Sequence, residues 1–455
     1  MILSPSFYLE LSSFSLYVWH IIVSWWWVPL PFWLRAKAEE RYLDFITNRW
    51  DGKTKRILLE IRIPEVSLKS IKAMDQVISS LHGIHDSPTP KEKWVEGVCQ
   101  QSIAFEIAGI EGVVHFFVRV PEPWKGFVEA AFYAQYPDAE ISQVDDYTKN
   151  VPQNIPNKEW KIWGVEFIAA RNELYPIKTY PKFEVGREIK ETGGKSMKEE
   201  ERVDPLASLL ESMSSLGPGE QMWIQYLAKP VMDKNYDWVT KSKKLVDKLS
   251  QRPEKEKVAS EVMNTFDEAR AALYHVIVGK KEEKSAKEEK KEIFSPEMKL
   301  TPGERELLTC VEEKMGKFGF VTTFRAVYIA KKGVFFKPRV KGLFGFSKSL
   351  SLGEYGGGFK PWSPGTTKVK SIWIGILDKR RLYIRERRKF RYFTKRYPGV
   401  FPRSKAEDGQ SVKMILNTEE LATLFHFPGK IAAPATGVAW LEQKKGEAPP
   451  ELPVE

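Results

Sequence analysis

The chain has 455 residues, of which 42% are hydrophobic and 29% charged, and its net charge is +11. That length leaves room for roughly two or three packed domains, and the apolar share argues against a disordered chain. Two cysteines, Cys99 and Cys310, exclude a disulfide framework and agree with a reducing compartment; the positive balance favours anionic neighbours, lipid headgroups or nucleic acid, without choosing between them.

Residues 14–34 (FSLYVWHIIVSWWWVPLPFWL) hold no formal charge and five tryptophans. A run of this length predicts a transmembrane helix, with Trp19, Trp25, Trp26, Trp27 and Trp33 suited to the membrane interface. Pro29 and Pro31 predict that the helix ends near Val28. An interfacial helix and a cleaved signal are the alternatives, the latter lacking a basic leader and a small-residue cut site. Arg35 and Lys37 follow the run, which by the positive-inside rule places the bulk on the cytoplasmic side of a single-pass anchor.

Beyond a basic arm at 35–56, Leu59 to Ile63 alternates apolar and charged residues until Pro64, the period of a strand. Leu68, Ile71, Met74, Ile78 and Leu81 recur at helical spacing. Strands follow around 105–107 and 114–120 across a turn at Gly109 to Gly112, then a helix over 124–136 and a short strand over 139–144. The order β-α-β-β-α-β over 57–150 is the ferredoxin-like arrangement.

A similar order recurs from 205 to 378, after a strand and charged linker at 151–204. The region 151–204 supplies a strand at 161–170, and 205–378 supplies a helix at 205–216, strands at 221–228 and 322–330, and a helix at 339–350. An insertion over 232–300 contains a helical pattern at 258–273 and the charged run 280–291, a solvated helix or linker. The fold class expected is therefore α+β: an N-terminal transmembrane helix, then two ferredoxin-like (βαββαβ) repeats, the second with a long helical insertion.

Signatures of enzyme chemistry are weak. Gly194-Lys195-Ser196 has the ending of a phosphate loop, but Ile189 stands where the first glycine belongs. The six histidines do not cluster at metal-ligand spacing, Gly356-Gly357-Gly358 lacks a strand–turn–helix setting, and no serine-hydrolase signature is present. No enzyme and no cofactor are expected.

The stretch 379–397 (KRRLYIRERRKFRYFTKRY) has ten Lys or Arg, one Glu and five aromatics. Arg380, Arg381, Arg385, Arg387, Arg388 and Arg391 are candidate contacts to phosphate or lipid headgroups. The alternative is a basic element whose aromatics pack on the body of the protein.

Residues 416–429 (LNTEELATLFHFPG) resemble the segment that lies ahead of the motor domain in HerA/FtsK-type conjugation and type IV secretion ATPases. The Trp-rich run and residues 58–64, 80–84, 133–141, 219–225 and 324–330 resemble, in the same order, the N-terminal membrane-associated region of such proteins in Patescibacteria-type bacteria. That region has no catalytic chemistry. A Walker A loop does not follow; the segment 411–430 leads into a Pro-rich tail at 431–455.

The resemblance implies a non-enzymatic, membrane-anchored scaffold of a conjugation or type IV secretion-like system, docking a separate HerA/FtsK-type ATPase. Leu416, Leu421, Leu424, Phe425, His426 and Pro428 are the candidate docking residues, or else they complete the protein's own core. Partners under this reading are that ATPase, membrane lipids, DNA and further copies of the chain in a ring. A nucleic-acid-binding protein working through 379–397 is the alternative function.

Overall fold

The computed structural model describes Trp19, Ser24 and residues 27–64, 69–184, 203–233, 236–250, 300–353, 356–369, 377–397, 414–428 and 437–440. The expected insertion helix at 258–273, the charged run 280–291, the Gly194-Lys195-Ser196 segment, Trp25 and Trp26 lie outside the described residues. Two compact units divide the chain, residues 1–56 with 85–101 and residues 57–84 with 102–455.

The first unit is built on helix α1 (Pro29–Lys53). Here the membrane expectation is corrected: among the described residues no helix is long and apolar enough to cross a membrane, so the single-pass cytoplasmic-membrane placement is not supported. Pro29, expected to end a helix, begins one. Proline suits the first helical turn, where its missing N–H would have no partner and its φ is already set. From there α1 runs on through Arg35, Lys37, Glu39 and Arg41, which ends the apolar stretch one turn into the helix. Tyr42 Oη donates to Trp94 O at 3.0 Å. Gly97, at φ 77°, closes the turn Glu92–Glu96 against this helix; a Cβ there would lie 2.4 Å from Ile46 O.

The second unit is organised by one antiparallel sheet. Its strands are β1 (Arg56–Arg62), β2 (Ile103–Ile110), β3 (Val113–Pro121), β4 (Glu140–Val144), β5 (Trp160–Ala169), β6 (Glu220–Val231), β7 (Gly319–Lys331), β8 (Phe359–Pro361) and β9 (Met414–Asn417). They lie in the order β4-β1-β3-β2-β6-β7-β5-β8, with β9 also paired to β7. The expectation of a transmembrane helix followed by two ferredoxin-like repeats is thus corrected, among the described residues, to one nine-stranded sheet. What joins its halves is the pairing of β2 with β6, which runs in unbroken register from Ile103↔Ala228 to Ile110↔Gln221. An edge strand left open would expose a row of unpaired N–H and C=O groups, and each of these two strands covers the other's edge.

Side chains alternate between the two faces of a strand. One face carries the larger core, covered by α2 (Ile71–Leu81), α3 (Lys125–Tyr133), α5 (Ala207–Ser214), α8 (Lys341–Ser349) and α10 (Thr418–Leu424). Helices α4 (Tyr180–Glu184), α6 (Trp238–Leu249) and α7 (Pro302–Met315) complete the unit with α9 (Asp378–Thr394). Helix α9 belongs to the opposite face, where Phe390 and Phe393 pack with Trp160, Ile162, Trp223, Val327 and Ile329. Strands β2, β6 and β7 are consequently buried on both sides for nearly their whole length.

Candidate functional site

The adjacent strands β2, β6, β7 and β5 carry a lateral row of polar residues on the α9 face. Glu166 of β5 lies opposite Arg325 of β7, Arg325 opposite Gln225 of β6, and Gln225 opposite Glu106 of β2. All four are 0% exposed. Such a row, fully removed from water, is stable only if its charges are matched.

The C-terminal end of α9 and the residues just after it do the matching. Lys389 Nζ lies 2.9 Å from Glu166 Oε1. Arg396 grips Glu106 through Nε to Oε1 at 2.6 Å and Nη2 to Oε2 at 3.0 Å, and Asp146 through Nη1 to Oδ2 at 2.6 Å and Nη2 to Oδ1 at 3.1 Å. Tyr147 Oη and Gln225 Nε2 also donate to Glu106, at 2.7 and 2.8 Å. Arg325 donates to Tyr392 O at 2.9 Å, which also accepts from Tyr397 N at 3.2 Å, and to Tyr397 O just beyond the end of α9. Glu106, Asp146 and Glu166 carry three negative charges and Arg325, Lys389 and Arg396 three positive, so the cluster sums to zero.

The backbone shows what this matching demands. Arg396 sits at φ 55°, a left-handed conformation that glycine usually takes just past a helix end. An arginine stands there because only its side chain reaches both carboxylates. Burial by itself would push the Arg396 guanidinium down; Glu106 and Asp146 reverse this and hold it well above its ordinary value. Burial likewise raises the Asp146 carboxyl, but Arg396 and Thr148 more than offset it and leave it below its ordinary value. Burial lowers the Lys389 ammonium in spite of Glu166, and raises Tyr147 well above its ordinary value with help from Glu106.

Matching the row uses only part of the basic stretch. Arg380, Arg381, Arg387, Arg388, Arg391 and Lys395 are exposed, whereas Arg385 is half-buried and donates to Lys368 O at 2.6 Å. Arg380, Ile384, Arg387 and Arg391 recur at four, three and four residues, which makes a stripe about 16 Å long on the outer side of α9. Arg381 and Arg388 flank it. Arg387 donates to Tyr383 Oη at 3.4 Å, and Tyr383 is 47% exposed beside the stripe. Two acids lie on the helix, Asp378 and Glu386; the Glu386 carboxyl is half-buried and desolvation pushes it up to about 7.

The other candidate residues are placed differently. Leu416, Leu421, Leu424, Phe425, His426 and Pro428 are all buried. Asn417 and Glu420 form a capping box at the start of α10, and Glu420 also accepts from Ile177 N at 2.9 Å and pairs with Lys314 at 3.1 Å. Phe425 packs on Phe105 and Phe116, and His426 Nε2 lies 3.0 Å from Asp204 Oδ1. This segment closes the larger core. Trp19, Trp27 and Trp33 are 64%, 55% and 57% exposed.

Sequence reading missed Glu106, Glu166, Gln225 and Arg325. The available signal was a polar residue with apolar neighbours on both sides inside each of four strands, a position that costs stability unless something is built to meet it.

The family model for a domain of unknown function, DUF8128, matches residues 38–433. The chain belongs to that family. In DUF8128 terms the match takes in β1 to β9, the charged row, α9 and α10. The expectations of conjugation and type IV secretion are corrected at this point, since DUF8128 is described without a function and supports neither. No curated protein matches the chain.

Proposed function

We propose that this DUF8128 protein is a non-enzymatic nucleic-acid-binding protein that works through the outer side of α9. One observation carries the reading: the helix divides its cations. Those facing the sheet neutralise buried carboxylates, while five arginines stay exposed along one side of a helix whose seating is fixed by the buried set. Arginine is the side chain best suited to phosphate, because its planar fork makes two parallel hydrogen bonds. Since the buried row holds α9 by its C-terminal end, the stripe is presented on a supported scaffold.

The expected docking of a separate ATPase would need a surface other than 414–428, whose apolar side chains are spent inside the core.

Fluorescence anisotropy of labelled oligonucleotides across a salt series tests the proposal. Binding through the stripe should weaken steeply with salt. An Arg380→Gln/Arg387→Gln/Arg391→Gln variant should lower the slope of log K against log salt by about 2 to 3, close to one per phosphate contact removed. Unchanged slope and affinity in a folded triple variant would refute it.

A further inference from the structure

The turn and short helix that follow β7 are tied down and basic, yet they keep two apolar side chains outside. Lys331 N donates to Gly219 O at 3.0 Å, Lys332 N to Glu159 O at 2.7 Å and Val334 N to Lys331 O at 3.0 Å. Phe336 N donates to Tyr328 Oη at 3.1 Å, and Arg339 Nε to Glu220 Oε1 at 2.9 Å. Phe335 tucks inward, its ring 5.1 Å from that of Tyr328. With the backbone so held, Val334 and Phe336 remain 45% and 57% exposed, which is a displayed tip and not a slack one.

Lys331, Lys332, Lys337 and Lys341 are all exposed around this tip; Glu111 and Glu159 are the exposed acids of the adjoining turns. Lys331 connects the tip to α9: its Nζ stands 5.9 Å from the centre of the Trp160 ring, and Trp160 packs with Phe390 and Phe393 of α9. The lysine-rich turn and the arginine stripe therefore belong to one region of positive charge.

We infer that this turn is a second contact on the same ligand, with Phe336 stacking on an unpaired base, so that the ligand class is single-stranded nucleic acid. The inference rests on the reading of α9 as a phosphate-binding helix. Phenylalanine has no hydrogen-bonding group with which to read a base edge in a groove; what it offers is a ring face, and paired bases keep their faces stacked inside the duplex. Lysines on both sides of the ring meet the phosphates on either side of the stacked base. A single ring suits a sequence-tolerant contact, because every base has a π-face.

The test uses the full chain with labelled oligothymidylate and with a duplex of equal length. Phe336→Ala should weaken single-strand binding by about 5- to 100-fold and leave duplex binding within about twofold, while Phe336→Tyr should retain both. Lys331→Gln/Lys332→Gln should lower the salt slope for either ligand by about 1 to 2. Phe336 is more than half exposed, so an unaltered melting temperature is expected for each variant and confirms that the fold is intact. If Phe336→Ala leaves single-strand binding untouched while the arginine triple variant abolishes it, the inference falls and the α9 reading stands. If no oligonucleotide binds even at low salt, both fall. Binding to phosphatidylserine vesicles that is lost with Phe336→Ala, without any binding to oligonucleotides, would replace the base by a lipid surface and overturn the inference.

Discussion

Replacing Arg396 by methionine keeps much of the side-chain volume and removes the charge that faces Glu106 and Asp146. Five hydrogen bonds of 2.6–3.1 Å disappear, four to Glu106 and Asp146 and one to Thr394 O, and Glu106, fully buried, keeps only Tyr147 and Gln225 as donors. Leaving one partner of a buried ion pair uncompensated costs about 3–5 kcal/mol. Glu106→Gln strips the charge from the other side and leaves Arg396 with Asp146 alone, at a cost of about 2–4 kcal/mol by the same argument. In the double variant no charge at position 106 waits for a partner, so the combined loss should fall short of the sum by about 2–3 kcal/mol. Urea unfolding followed by tryptophan fluorescence measures each corner of the cycle; Trp223 reports locally because its ring lies 5.1 Å from Tyr147 and 5.6 Å from Phe393. Losses that add within about 0.5 kcal/mol would refute the claim that this pair seats α9. The cost of Arg396→Met should also depend on pH. The Asp146 carboxyl is held below its ordinary value, so its contribution is complete above pH about 4 and fades as pH falls through the folded-state value. Below that window the difference between the variant and the parent should shrink by the part that Asp146 supplies.

Three further outcomes follow from the packing. A Cβ on Gly164 would lie 2.6 Å from Lys389 Cγ and 3.1 Å from Val327 Cγ1, so Gly164→Ala should cost about 1–3 kcal/mol in urea unfolding. Glu386 is an acid raised in the folded state to about 7, which makes the native protein the tighter proton binder and its stability fall as pH rises from the ordinary carboxylate range to about 7. Glu386→Gln should remove that slope and, after allowance for solvent screening of a half-exposed group, gain about 1 kcal/mol at neutral pH; a slope unchanged by the substitution contradicts the assignment. Glu420→Gln keeps the cap but leaves the Lys314 ammonium, 3% exposed, with backbone carbonyls alone, so thermal unfolding should report a loss of about 3 kcal/mol.

Local periodicity determined where the second unit's elements lie. Alternation over residues 59–63, mainly apolar runs over 114–120, 221–228 and 322–330, and helical spacing over 71–81 and 205–216, are properties of consecutive residues, and β1, β3, β6, β7, α2 and α5 stand there. Pro29 shows the limit of that signal, because proline is compatible with the end of one helix and the start of the next. Tertiary structure alone decided that β2 and β6 join edge to edge, since strand pairing between residues more than a hundred positions apart leaves no mark in either strand's own pattern. It alone sorted the cations of 379–397. Lys389 and Arg396 look like their basic neighbours in the sequence and are distinguished only by Glu166, Glu106 and Asp146, which arrive from distant strands and turns. The apolar residues of 416–425 suited a partner's surface as well as the chain's own core, and the contacts of Phe425 with Phe105 and Phe116 decided for the core. Charge and hydrophobicity belong to the residue; the partner that consumes them belongs to the fold.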